Sequence, residues 1–352
     1  MKSLYNYISD FYQTDEFPAL SEQLDFWSKT RPFEGIKILD ATPVFRNTLV
    51  KYLALLTGGA DLTVAIGEKI PADLTIFNML PEFGICQATA ENIKEHYDVI
   101  ADCAGSFHTL TPRTGFVELT RSGLEYYKNS QFPVFSADSG LIKKLETVAG
   151  TGNGFVRALK KSGFGELAGK KILLFGCGKV GYGIASAALQ EGCRVTIVDR
   201  TMRPIPAGAD FTDASERQTV KKAINDAWCI VSATGIADAL ADHALDFNNS
   251  SAIIVNMGVE DEFGPALPQQ RVLNNKRPFN FILEEPTLIR YIDATMALNN
   301  YGIEILLNSK LPSGISLPPE KLENKIIATI LKAGLITNDV EEIVKLHNIL
   351  GV

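Results

Sequence analysis

Along the chain, short apolar runs of strand length alternate with longer segments whose apolar residues recur at helical spacing, which predicts parallel sheets with helices packed on both faces. Residues 36–41 read as a strand and 45–56 as a helix with Phe45, Leu49, Leu53 and Leu56 on one face. Gly58 and Gly59 stop that helix, and 62–66 is the next strand of a βαβ unit. Further strands are expected at 74–79, 98–103 and 133–137. The segment 141–161 is helical in pattern, yet Gly150, Gly152 and Gly154 each weaken a helix by about 1 kcal/mol relative to alanine, so a break or hinge is expected there. In the second half, strands are expected at 171–175, 194–198, 228–232 and 252–256, and helices at 287–307, 319–335 and 339–350. Residues 311–319, rich in Pro, Ser and Gly, read as a connecting loop.

The fold class is therefore α/β with two doubly wound domains, and 352 residues suit two hydrophobic cores better than one. The expected division is 1–139 for a substrate-type domain, 140–286 for a Rossmann dinucleotide-binding domain, and 287–352 for a helical segment packing back on the first domain or on a dimer partner. Two domains imply a cleft. A net charge of −7 without a block of like charges argues against nucleic acid or an anionic membrane as partner. The stretch from Met1 to Phe17 lacks a basic start with an apolar core, and no run approaches the ~18 apolar residues of a membrane span, so a cytoplasmic protein is expected. The five cysteines form no C-x-x-C pair, and His96, His108, His243 and His347 show no metal-ligand spacing; neither disulfides nor a metal site is expected.

Chemistry is concentrated in Gly176-Cys177-Gly178-Lys179-Val180-Gly181, which follows a strand and opens a helix. Gly176 makes the tight turn, Gly178 leaves room for a pyrophosphate, and Gly181 lets helix and strand approach. The helix N-terminus, with Lys179 and Val180, then faces negative charge with free N–H groups. Asp199 lies one helix and one strand downstream, at about the 20-residue distance of a ribose-binding acid, and would repel a 2′-phosphate; NAD is expected over NADP. Arg200 and Arg203 blur that preference. Cys177 reads as a small filler rather than an oxidation-sensitive thiol.

Beyond the glycine turn, the sequence resembles the S-adenosylhomocysteine hydrolase family. Leu167-Ala168-Gly169-Lys170 is similar to its A-G-K lead-in, Phe132-Pro133 with Ala137-Asp138-Ser139 to its F-P…N-D-S segment, and 118–123 to its E-E-T-T-T-G stretch, of which Thr120 is retained. Ala233-Thr234-Gly235 is similar to its T-T-G, Asn256-Met257-Gly258 with Asp261 to N-x-G-H-F-D, and 317–322 to its L-P-x-K-L-D turn. The resemblance spans about residues 98–340. It implies NAD contacts at Thr120, Thr234, Gly235, Asn256 and Gly258, and a reaction that oxidises a ribose 3′-hydroxyl, abstracts the neighbouring proton and eliminates a thiol.

Such a sequence needs several acid–base groups. Ile142 stands at the family's lysine, with Lys143 beside it; Val259 replaces the histidine of G-H-F-D; no H-P-S-F motif occurs, Ala297-Leu298-Asn299-Asn300 lying near its place. The family's C-terminal lysine and tyrosine are absent. Asp102 and Glu146 match its substrate aspartates, so Asp102, Lys143 and Glu146 are the catalytic candidates. Of the polar groups able to face a cleft (Asp102, Glu118, Arg121, Asp138, Lys143, Glu146 and Asn299), each is expected more often at the surface or capping a helix. The leading expectation is an NAD-dependent oxidoreductase or lyase acting by hydride transfer on a small polar substrate, assembled as a homo-oligomer through helices beyond Thr287. Alternatives are a non-catalytic nucleotide-binding relative and an amino-acid or opine-type dehydrogenase sharing only the cofactor domain.

Overall fold

The computed structural model describes residues 3–350 except 69, 89–92, 94, 95 and 139, and the side chains of all of these but 347–350. Ser139 and the His347 side chain thus lie outside the described residues. The chain forms two compact units, Met1–Lys143 with Ile289–Glu341 and Lys144–Leu288 with Glu342–Val352. The C-terminal segment is accordingly shared: 289–341 belongs to the first unit and the remainder to the second.

Twelve strands occur among the described residues: β1 Lys37–Asp40, β2 Asp61–Val64, β3 Cys86–Gln87, β4 Val99–Asp102, β5 Gly115–Glu118, β6 Pro133–Ser136, β7 Lys171–Phe175, β8 Arg194–Asp199, β9 Asp210–Asp213, β10 Cys229–Ser232, β11 Ile253–Asn256 and β12 Gly314–Ser316. The first unit holds a parallel sheet in the order β12-β6-β5-β4-β1-β2-β3, and the second a parallel sheet in the order β11-β10-β7-β8-β9. Both sheets are doubly wound. Strand order reverses between β1 and β4 in the first and between β7 and β10 in the second, the positions where such sheets bind ligands beyond their strand carboxyl ends.

Several elements differ from expectation. Residues 74–79 form a helix, Leu74–Met79, because the Asp73 carboxylate accepts from Thr75 N–H (2.8 Å) and Ile76 N–H (3.3 Å); a six-residue apolar run does not by itself distinguish strand from helix. The loop expected at 311–319 contains β12, which extends the sheet beside β6. The helical segment after β6 does change geometry, through the π-helical turn Leu145–Gly150 before the helix Thr151–Lys161. Its glycines serve packing: a Cβ on Gly152 would collide with the Gly183 carbonyl, one on Gly183 with the Val148 carbonyl, and one on Gly154 with the Pro286 carbonyl. Of the glycines predicted to break the helix, Gly152 instead lets the helix Lys179–Gln190 lie close against it.

The helix Pro18–Thr30 begins with no capping bond from Phe17. Its Ala19 and Leu20 amides donate to the two carboxylate oxygens of Asp293 at 2.8 and 2.9 Å. Asp293 is fully buried on the helix Ile289–Asn308, and burial lifts its carboxyl to about 7. Its folded-state proton affinity exceeds the ordinary aspartate value of 3.8, so the stability linked to its protonation is present below pH 3.8 and lost as pH rises towards 7. Asp293→Asn, which keeps an acceptor but cannot ionise, is expected to flatten stability between pH 5 and 8 by up to a few kcal/mol, whereas Asp293→Ala costs about 2–4 kcal/mol throughout by stranding two helix amides. Denaturant melts at the two pH values check both; parallel wild-type and Asp293→Asn curves would contradict the assignment.

Candidate functional site

In the second unit the sheet places a glycine turn beyond β7. Gly176 has φ +93°, a conformation that favours glycine, and a Cβ there would come within 2.6 Å of the Ala233 carbonyl oxygen. At Gly181 a Cβ would run into the Gly176 carbonyl, so helix and strand meet backbone to backbone. Gly178 is exposed, and a Cβ there meets nothing within 4 Å: space is open over the start of the helix Lys179–Gln190, whose first amides have no side-chain cap. Asp199, ending β8, accepts from Cys177 N–H at 2.8 Å and Thr201 N–H at 3.2 Å. These bonds fix the carboxylate at the turn and leave lone pairs for ribose hydroxyls. Lys179 and Val180 are half-buried at the helix start, while Arg200 and Arg203 are exposed. Cys177 sits in the apolar core as filler, its thiol pushed up to about 11 by burial and by Asp199.

Beyond β10 and β11, three predicted residues, Thr234, Gly235 and Gly258, are organised by one that the sequence did not reveal. Glu262, buried and raised above the usual carboxylate range by that burial, accepts from Thr234 N–H and Gly235 N–H, both at 2.8 Å, and from the Thr234 hydroxyl at 2.9 Å. A Cβ on Gly258 would strike its carboxylate. The Asn256 carboxamide is spent within the loops: its nitrogen donates to the carbonyls of Gly258, Glu260 and Lys276, and its oxygen accepts from the Ser232 hydroxyl. Thr234 and Asn256 thus hold their loops in shape through their side chains. The signal for Glu262 was slight, one acid in the run Glu260-Asp261-Glu262 that reads as a solvated face.

The first unit collects its own polar groups at the carboxyl ends of β1, β4 and β5. Asp102 accepts from Cys103 N–H, Phe107 N–H and, at 2.6 Å, the Tyr127 hydroxyl. Glu118 accepts through Oε1 from Ala104 N–H, Thr120 N–H and the Thr120 hydroxyl, and through Oε2 from Gly105 N–H. Together they clasp a turn in which Ala104 (φ +55°) and Gly105 (φ +64°) are left-handed. Burial raises both carboxyls, and the neighbouring Asp102 charge helps lift Glu118 to about 7. Thr120 also caps the turn after it, accepting from Gly123 N–H. At β1, Asp40 pairs with the fully buried Lys51, whose ammonium burial makes more acidic, and Thr42 bonds to both. Neither residue was singled out from sequence.

Surface or capping roles, expected for the polar candidates, fail where it matters: Asp102, Glu118, Lys143 and Asn299 are all buried. Lys143 lies 4.0 Å from Asp138, beside the fully buried Ile142, and Glu146 is half-buried on the π-helical turn. Arg121 is exposed. No helix among the described residues is long and apolar enough to cross a membrane.

An open parallel sheet whose first strand ends in such a turn defines a dinucleotide-binding domain of the Rossmann class. Residues 147–264 match the family model "S-adenosyl-L-homocysteine hydrolase, NAD binding domain". The chain thus carries a domain similar to the NAD-binding domain of S-adenosylhomocysteine hydrolases, and NAD is the cofactor its turn is built to hold. It is 24% identical to an adenosylhomocysteinase of Thermoplasma acidophilum, over 69% of this chain and 66% of that protein. It is 27% identical to one of Sulfolobus acidocaldarius, over 68% and 64%. An S-inosyl-L-homocysteine hydrolase of Methanopyrus kandleri is 22% identical over 89% of this chain and 86% of its own length. The chain thus spans just under two thirds of the two adenosylhomocysteinases.

The two glycines make opposite predictions. Gly178→Val should leave the fold intact, since nothing lies within 4 Å, and abolish NAD binding by filling the pyrophosphate space; Gly181→Ala should destabilise the unit itself. Calorimetric titration with NAD beside thermal melts separates them, and full NAD affinity in Gly178→Val would refute the assignment.

Proposed function

We propose that the chain is an NAD-dependent oxidoreductase or lyase that works by hydride transfer on a small polar substrate held at the carboxyl ends of β1, β4 and β5. The observation carrying this reading is the intact cofactor cradle, with Gly178 open and Asp199 anchored at the turn. When bound there, NAD supplies a two-electron acceptor for a substrate carbon. The turn amides hold its pyrophosphate, and Asp199 accepts from its ribose hydroxyls. Glu118, with a carboxyl near 7 and a single bond to Oε2, can carry or release a proton at that oxygen near neutral pH. Asp102 has both oxygens committed to the 103–107 turn and Tyr127, which suits it to positioning. Lys143 and Glu146 remain the other acid–base candidates.

A second reading, a nucleotide-binding relative without catalysis, is favoured by the buried Ile142 and the exposed Val259 at places where the family resemblance implies a lysine and a histidine. Small molecules released on denaturing the purified protein distinguish the two: a mixture of NAD and NADH supports redox turnover, and a nucleotide in one unchanging form supports the second.

Asp199→Ala should narrow a wild-type preference for NAD over NADP, read by direct titration of both; a wild type preferring NADP would show that Asp199 does not contact the ribose. Hydrolysis of S-adenosylhomocysteine itself is not expected. Acid–base groups commonly contribute about 10²- to 10⁴-fold each, so losing a lysine and two histidines from one multistep reaction leaves almost no turnover. Incubating NAD-loaded protein with S-adenosylhomocysteine and following free thiol should give no signal above buffer; steady release that vanishes in Lys143→Ala would place Lys143 at the lysine position and restore the activity to this chain.

A further inference from the structure

The helix Lys179–Gln190 and the segment 144–161 cross with their chains running the same way. A Cβ on Gly183 would strike the Val148 carbonyl, and one on Gly152 would meet both the Gly183 carbonyl and the Ala187 side chain. Residue 148 therefore lies against 183 and 152 against 187, each pair one turn beyond the last. One turn earlier, the same register sets Lys144 beside Lys179. Lys179 opens its helix directly after Gly178, and Lys144 ends the helix Gly140–Lys144 just before the π-helical turn. Both belong to the second unit. Helical side chains lean towards the helix N-terminus, which carries Lys179 towards the turn, where a Cβ on Gly178 meets nothing within 4 Å.

Two cations at this place oppose the backbone. A helix N-terminus carries the positive end of the peptide dipoles and favours acidic side chains. The first turn of Lys179–Gln190 holds no acid and begins on a lysine. Lys144 is 6% exposed. Burial makes its ammonium more acidic and the Lys179 charge adds to the effect, so the two positive charges lie near enough to repel. Asp199, the acid at the turn, holds the Cys177 and Thr201 amides with its carboxylate. Repulsion between like charges at the positive end of a helix costs the empty protein stability, and an anion seated at the turn relieves it. The cofactor's pyrophosphate brings a negative charge on each phosphate to this point, and lysine binds phosphate as a point charge without demanding one fixed geometry.

We propose that Lys144 is a cofactor-positioning residue: with Lys179 it flanks the glycine turn and holds the NAD pyrophosphate by charge, in a seat whose other contacts are backbone amides. The inference rests on the cofactor seat alone and is independent of hydride transfer. Because the recognised group is the pyrophosphate, every ligand that shares the ADP-ribose part of NAD gains from Lys144 alike.

The test uses the full chain and two probes titrated by calorimetry, NAD and ADP-ribose, the second carrying the pyrophosphate without the nicotinamide. Lys144→Met, similar in length and uncharged, should weaken both probes equally, about fivefold or more. It should also flatten the fall in NAD affinity between about 50 and 500 mM potassium chloride. The melting temperature of the ligand-free protein should hold or rise, because a repelled charge has been removed. Lys144→Arg keeps the charge and should stay within about threefold of the wild type for both probes. Lys144→Gln gives the same reading as Lys144→Met if the latter does not fold. Unchanged affinity in the uncharged variants overturns the proposal, and so does a loss that Lys144→Arg repeats in full, which would make the residue a packing element. A loss confined to NAD would place Lys144 at the nicotinamide half and overturn the pyrophosphate assignment. A wild type that binds neither probe would remove the cofactor seat itself, and this inference with it.

Discussion

Two backbone amides at the start of the helix Pro18–Thr30 hydrogen-bond to the Asp293 carboxylate, which lies 274 and 273 residues further along the chain, and the architecture of the first unit follows from that join. The helix Ile289–Asn308, which carries Asp293, also brings Ala297, whose carbonyl accepts from Gln23, and Asn300, which bonds to Gln23 and to the Lys51 carbonyl. Lys51 in turn reaches Asp40 and Thr42 at the end of β1. A continuous polar path thus runs from the C-terminal helix to the point where strand order reverses. Asparagine and aspartate are poor interior residues unless matched, so this helix can be buried in one register only. β12, a few residues later, closes the sheet on β6. Residues 289–341 are part of the first unit rather than an appendage to it.

The second unit rests on a more local constraint. Backbone meets backbone where Gly181 approaches the Gly176 carbonyl and again where Gly183 approaches Val148, and only hydrogen fits at either glycine Cα. Those two contacts fix the helix Lys179–Gln190 against β7 on one side and the π-helical turn on the other. Its first amides therefore point over Gly178 without any side chain having to hold them there.

That difference decides what could be read from sequence. The glycine turn and Asp199 were legible because turn, helix start and acid are tied to one βαβ unit, where spacing reports geometry. The helix Ile289–Asn308 was legible as a helix from its apolar period, but its matched and unmatched polar residues were not, since their partners lie some 250 residues or more away or are lacking among the described residues. Residues 74–79 misled because a capping aspartate outweighed a strand-like apolar run. Glu262 and Lys51 were hidden in a different manner: each is a charged residue inside a segment that reads as ordinary, and burial becomes visible only once strands β10 and β1 are placed beside them. The expectation of surface or capping roles for Asp102 and Glu118 failed for the same reason.

Three buried acids in this chain share one habit: Asp102, Glu118 and Glu262 each accept backbone amides from a turn at a strand's carboxyl end. Such bonds favour the charged carboxylate while burial opposes it, and burial prevails in all three. The result is a carboxyl that is rigid and yet easily protonated. Rigidity alone makes a scaffold; proton transfer also needs an oxygen with a lone pair to spare. At Asp102 the oxygen bonded to Tyr127 also takes the Phe107 amide, and at Glu262 one oxygen takes both the amide and hydroxyl of Thr234 while the other faces Gly235 and Gly258. In all three, one oxygen takes a single amide, from Cys103 at Asp102 Oδ1, Gly105 at Glu118 Oε2 and Gly235 at Glu262 Oε1. What sets Glu118 apart is the second carboxylate beside it: the Asp102 charge adds to burial in lifting the Glu118 carboxyl to about 7, so its proton affinity reaches the neutral range.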